Sequence, residues 1–119
     1  MPRSNPVIMT PAAFQILLVL ASGEQHGYDI MVEIARDKTS AVRLGPTTLY
    51  RTIRTLLKMG LIEETEGRPD PELDDQRRRY YRLTPAGRET ARAETDRLRK
   101  LIEMAEAKLF IELNPDGAK

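Results

Sequence analysis

The stretch GPTTLYRTIRTLLKMGLI, residues 45–62, limits the possible folds more than any other segment of this 119-residue chain. At about 100° per residue, Leu49, Ile53, Leu56 and Leu57 fall on one side of a helix. Thr47, Arg51, Arg54 and Lys58 gather on the opposite side, with Thr48 and Thr55 at one flank and Tyr50 at the other. Pro46 suits a first helical turn, where its missing N–H is not needed. Gly60 suits a left-handed stop. The spacing predicts a helix over 46–59 with an apolar back and a front of hydroxyls and cations. The back must find a core, and the front must find water or a polyanion.

The flanking segments supply that core. Residues 1–9 read as a flexible N-terminal arm. Thr10-Pro11 opens a helix to about Ala21 that is apolar almost all round, with Phe14, Ile16, Leu17, Leu18, Val19 and Leu20. A helix of that kind needs cover on more than one side, which hints at a partner. HGYDIMVEIARDK (26–38) starts a second helix with Ile30, Ile34 and Met31 inward. After the 46–59 helix come two extended pieces, LIEETE (61–66) and RRRYYRLT (77–84), separated by the proline-rich, acidic GRPDPELDDQ. They fit an antiparallel hairpin with a long tip. Thr84-Pro85 then opens a last helix to about Leu113. Its Ala91, Leu98, Ile102, Ala105 and Leu109 form a narrow seam of the kind that pairs helices.

Three helices, a hairpin and a long helix make a mainly α chain on the winged helix-turn-helix plan. The expected layout is a DNA-binding domain over 10–84, a dimerisation helix over 85–113 and a tail over 114–119. Charge placement agrees. The formal net charge is only +1, yet from Lys38 to Ile62 there are five cations (Lys38, Arg43, Arg51, Arg54, Lys58) and no acid. Seven acids follow between Glu63 and Asp75, then Arg77, Arg78, Arg79 and Arg82 arrive together. Arginine can fork onto guanine or a phosphate, lysine neutralises phosphate, and threonine offers a hydroxyl and a methyl. The competing reading of the helix is a merely solvated face. For the hairpin arginines it is pairing with the acidic loop just before them.

Several motifs together resemble the PadR family of bacterial transcriptional regulators, in its short form with a single C-terminal helix. They are HGYDI (26–30), GPTTLYRTIRTLLKMGLIE (45–63) and RRRYYRLTPAGR (77–88), in matching order and spacing across roughly residues 12–90. The resemblance implies a homodimeric repressor, often released by a small-molecule effector. It implies DNA contacts by Thr47, Thr48, Tyr50, Arg51, Arg54, Arg77, Arg78 and Arg79, to which the helical charge pattern adds Lys58. It also implies dimerisation through the first and last helices, expected to use Phe14, Leu17, Leu18, Leu98, Leu101, Ile102, Ala105 and Leu109. The expected partners are double-stranded DNA carrying an inverted repeat and a second copy of the chain.

Other chemistry finds little support. There is no cysteine and one histidine, so no thiolate or multi-histidine metal site is available, and no cofactor or metal is expected. His26 is expected to be structural, with Gly27 permitting close packing and Tyr28 in the core. Of the tyrosine pair, Tyr81 shares parity with Leu83 and is expected inward. Met59 and Met104 are expected to pack. The carboxylates Glu63, Glu64, Glu66, Asp74 and Asp75 accompany no phosphate loop or nucleophile motif, so an enzyme is not expected. Arg3 before FQILLVLAS has a secretory look, but Gln15 interrupts the run and Thr10-Pro11 is a helix start. No run approaches the ~20 apolar residues of a membrane span. A soluble, cytoplasmic protein is expected. The rival function is a winged-helix module that binds protein, docking a basic partner on its acidic loop.

Overall fold

Two threonines begin the outermost helices in the same way. The Thr10 hydroxyl accepts from the Ala13 amide at 3.1 Å, and the Thr84 hydroxyl from the Gly87 amide at 2.9 Å, each followed by proline in the first turn. Each cap satisfies one of the amides that a helix start leaves bare. A computed structural model describes residues 9–36, 44–65 and 79–110. In chain order these form α1 (Pro11–Ala21), β1 (Gln25–His26), α2 (Gly27–Arg36), α3 (Pro46–Lys58), β2 (Ile62–Thr65), β3 (Tyr80–Leu83) and α4 (Pro85–Ala105). A π-helical turn, Glu106–Phe110, continues α4. The segment between α2 and α3 at 37–43, the acidic loop at 67–76 and the predicted helix end at 111–113 lie outside the described residues.

The sheet has three antiparallel strands in the order β1-β3-β2. Ile62 faces Leu83 and Glu64 faces Tyr81 across the hairpin, while His26 faces Tyr80 on the other side. The short strand β1 is not signalled in the sequence, because two residues are too few for a period. It forms where the chain enters α2, and the Gly27 amide continues the ladder by donating to the Arg79 carbonyl at 3.1 Å. His26 then works as a cap: its Nδ1 accepts from the Asp29 amide at 3.3 Å, Nε2 lies 3.2 Å from the Asp29 carboxylate, and its ring stands edge-on to Tyr80. This is the structural use expected of His26.

The core joins Ile16, Leu17 and Leu20 of α1 to Ile30 and Ile34 of α2, Leu49, Ile53 and Leu56 of α3, and Ile62 and Tyr81 of the wing. Helix α1 is central and packs on α2, α3, α4 and β3. Its all-round apolarity is therefore largely used inside one protomer, and Leu18 is its one large residue left exposed. Three expectations change. Tyr28 is 49 % exposed, because it begins α2 on the solvent side of Gly27. Met59 and Met104 are also exposed, the first just past α3 and the second on the outer surface of α4. No described helix is long and apolar enough to cross a membrane.

The end of α3 is locked to the start of α4. Gly60, at φ +74°, stops α3 in the left-handed region that glycine tolerates. The Thr84 hydroxyl donates to the Gly60 carbonyl at 2.7 Å and the Thr84 amide donates to the Leu61 carbonyl at 3.1 Å. Gly87 sits so close that a Cβ there would lie 1.9 Å from the Leu61 carbonyl oxygen. One turn thus fixes how α4 leaves the winged domain.

Candidate nucleic-acid interface

Helix α3 presents the predicted front. Leu49, Ile53 and Leu56 are buried, whereas Thr47, Thr48, Arg51, Arg54, Thr55 and Lys58 are exposed. Among the described residues, Arg51, Arg54 and Lys58 make no ion pair, and α3 itself carries no acid. The Thr55 hydroxyl turns back to the Arg51 carbonyl at 3.2 Å, which leaves Thr47 and Thr48 as the hydroxyls of the first turn. Pro46, Thr47, Tyr50, Arg51 and Arg54 line a shallow groove there. Tyr50 is only half open. Its ring lies against Gly27 of α2, where an added Cβ would be 2.9 Å from Cε1 and 3.1 Å from the hydroxyl. Tyr50 therefore sets the crossing of α2 on α3 as well as lining the groove.

The wing beside this helix is electrically different. Arg79 bonds Glu64 at 2.7 Å and Arg82 bonds Glu63 at 2.6 Å, both across the β2–β3 pair. These pairs are largely exposed, so each contributes little stability, roughly 0–1 kcal/mol. Their effect on the field is larger, since two cations are cancelled by two carboxylates. Glu63 and Glu64 are the acids that matter here, and the sequence reading missed them by looking for acids in the loop. The strand period carries the signal: once the register is known, Glu63 must oppose Arg82. Arg77 and Arg78 lie outside the described residues.

Tyr81 stitches the wing to α3. It is 3 % exposed, as its parity predicted. Burial pushes its hydroxyl up to about 12, the Glu64 carboxylate and Tyr50 adding to the rise while Arg79 and Arg54 oppose it. Those four neighbours show that the inner face of the wing and the outer flank of α3 share one small region. Among the described residues, no group of three or more His, Asp or Glu side chains is placed to hold a metal ion.

A family model described as the transcriptional regulator PadR-like family matches residues 16–93. The chain belongs to that family. The match runs from α1 into the third turn of α4 and contains every described residue of the interface above. A transcriptional regulator from Clostridium thermocellum is 28 % identical, with a TM-score of 0.65 over 82 % of this chain and 90 % of that one. A PadR family regulator from Clostridium difficile shares the fold at a TM-score of 0.71 and 20 % identity, over 84 % and 99 % of the two chains. A 37.1 kDa protein in transposon TN4556 of Streptomyces fradiae is 34 % identical over 90 residues. That match takes in 76 % of this chain but 24 % of the transposon protein, so this chain spans about a quarter of that relative's length. The protein is a DNA-binding transcriptional regulator on a winged-helix fold.

The residues expected to pair two PadR-like chains are not all available. Leu17 is wholly buried in the protomer core, at 0 % exposure, and cannot meet a partner. Packing of α1 against three other helices turns it inward. Phe14, Leu98 and Ala105 are partly covered, whereas Leu18, Leu101, Ile102 and Leu109 are exposed, along with Met104 and Phe110. Ala91 and Glu94, earlier on α4, are buried. Glu94 accepts two bonds from Arg97, at 3.0 and 2.6 Å, which hold its carboxyl below the usual range.

Proposed function

We propose that this regulator acts as a homodimeric repressor that seats two copies of α3 in successive major grooves of an inverted-repeat operator. Thr47, Thr48, Arg51 and Arg54 read bases and adjacent phosphates, Tyr50 contacts DNA from the edge of the groove, and Lys58 grips phosphate. The single observation that carries this reading is the outward face of α3: exposed, without an acid, and with three cations that no described side chain neutralises. A groove of about 12 Å accepts such a helix. Two-fold pairing sets the copies about one helical turn apart, ~34–36 Å. The exposed apolar residues of α4 and of the π-helical turn that continues it, Leu101, Ile102, Met104, Leu109 and Phe110, support pairing, since grouped exposed apolar side chains mark interaction surfaces. A small molecule that favours a different separation of the two α3 helices releases the operator.

Arg79 enters this reading in a changed role. Tied to Glu64, it contributes less to phosphate binding than α3 does. Arg77 and Arg78 remain proposed phosphate contacts.

The test is a titration of the purified chain with DNA from upstream of its own gene at physiological salt. Arg51→Ala should weaken binding by roughly 1–3 kcal/mol and relax sequence choice at one position, whereas Lys58→Ala should weaken all sequences alike and lower the salt slope by about one unit. Equal binding by wild type and both variants would remove α3 from the groove. Affinity that never exceeds the generic level, Kd about 10⁻⁴–10⁻⁶ M, would favour the protein-binding alternative.

A further inference from the structure

Tyr50 sits on the flank of α3, between its apolar back and its cationic front, and its two ends meet different surroundings. Outward, the ring lines the shallow groove with Thr47, Arg51 and Arg54. Inward, the hydroxyl oxygen is buried. A tyrosine placed to donate to a phosphate would hold that oxygen in the open. The inward contact falls on the first residue of α2. A Cβ at Gly27 would lie 2.9 Å from Tyr50 Cε1, 3.1 Å from the hydroxyl and 3.4 Å from Cζ, so the ring rests on bare backbone. Gly27 is itself tied to the wing, because its amide donates to the Arg79 carbonyl at 3.1 Å. Two residues on from Arg79, Tyr81 is buried on the central strand, opposite Gln25 of β1 and Glu64 of β2. Burial raises the Tyr81 hydroxyl, and Glu64, Arg79, Tyr50 and Arg54 all lie near enough to act on it. Elements α2, α3 and β3 thus converge within reach of one phenol ring.

We propose that Tyr50 is a positioning residue for sequence recognition: seated on Gly27 of α2 and beside Tyr81 of the wing, it sets the angle at which α3 presents Arg51 and Arg54 to the bases. The inference rests on the reading of α3 proposed above and gives Tyr50 a second part in it. Base reading is geometrically strict, since a hydrogen bond to a base edge tolerates only about 0.5 Å in length. Phosphate attraction is far less strict, because it acts over a Debye length of roughly 8 Å at physiological salt. A small displacement of α3 therefore costs discrimination while sparing general affinity.

Glycine and tyrosine are matched in size at this contact. A methyl on Gly27 is too close to the ring to fit as it stands. It is absorbed either by a tilt of α3 or by the ring swinging into the groove that it lines, and both movements disturb the reading face. Gly27 itself lies on α2, so its influence on recognition passes through Tyr50.

The experiment uses the full chain as Gly27→Ala, as Tyr50→Leu and as the double variant. Each is titrated, at one salt concentration, against the duplex that wild type selects from a randomised library and against a scrambled duplex of equal length. Circular dichroism checks that every variant is folded at the assay temperature. Each single variant should lose roughly 10- to 100-fold in preference for the selected duplex, the equivalent of about one mismatched base pair. Gly27→Ala should bind the scrambled duplex within about threefold of wild type, since no cation has been removed. Leucine vacates the space that the new methyl needs, so the double variant should lose no more preference than either single, a coupling that independent sites do not show. Wild-type preference in either single variant would overturn the proposal, even with a lowered melting temperature, because the contact would then be structural only. Losses that add in the double variant would overturn it too, by making Tyr50 a direct reader independent of α2. A selection in which wild type enriches no sequence would end the reading of α3 itself, and this inference with it.

Discussion

Gly87→Ala is a one-methyl change that the structure makes expensive. The new Cβ would lie 1.9 Å from the Leu61 carbonyl oxygen, 2.9 Å from its carbon and 2.8 Å from Leu83 Cδ1. Cβ atoms essentially never approach within 3.0 Å, so α4 or the Leu61 peptide must move by about 1.1 Å. Leu83 can rotate away, but the peptide is held, because its carbonyl accepts from the Thr84 amide at 3.1 Å. Overpacking of this sort costs roughly 1–3 kcal/mol. Loss of the Thr84 bond adds about 0.5–1.5 kcal/mol. Alanine's better helix propensity returns only about 1 kcal/mol, and less in a first turn. The expected net loss is roughly 2–3 kcal/mol, a fall in melting temperature of about 8–12 °C for a chain of this size. Thermal and urea unfolding of wild type and variant, followed by circular dichroism, measure it. A variant within 2 °C of wild type would show that α4 does not leave the wing as described, and the α3–α4 lock would fall with it. Gly45→Ala, with open space around it, is the companion control and should cost only glycine's advantage over alanine at the α3 cap, under about 1 kcal/mol.

Other consequences concern charge and titration. Glu64→Gln removes the carboxylate that Arg79 bonds and should tighten sequence-independent DNA binding, with a log–log salt dependence steeper by up to about 0.9; an unchanged slope would mean that this ion pair does not govern phosphate binding by the wing. Tyr81 has its hydroxyl raised in the folded chain from 10.0 to about 12, so its contribution to stability is intact below pH 10 and is lost as pH rises toward 12. Tyr81→Phe should therefore flatten alkaline destabilisation across pH 10–12, and a variant with the same alkaline slope as wild type would refute burial of that hydroxyl. Thr84→Ala removes both the α4 cap and the bond to the Gly60 carbonyl, and unfolding should register a loss of about 1–2 kcal/mol; a neutral result would make both bonds incidental.

Periodicity and punctuation determine much of this protein by themselves. The caps at Thr10 and Thr84, the stop at Gly60 and the apolar spacing of Leu49, Ile53 and Leu56 define helices whose bounds agree with the structure to within a residue, where both ends are described. Local rules suffice there, because a helix end or an amphipathic face is decided by residues within one or two turns. The outward direction of Arg51, Arg54 and Lys58 follows from the same spacing. What lies beyond local rules is pairing. Whether α1's apolar surface meets a partner or its own domain depends on where four other elements close around it, and that closure buried Leu17. Whether Arg79 faces phosphate or carboxylate depends on the strand register that sets Glu64 beside Tyr81. The approach of α4 on Leu61 that leaves room for nothing but glycine is also long-range. Local chemistry wrote the elements and their faces; contacts between residues distant in the chain decided which faces remain free, because burial and ion pairing depend on neighbours in space.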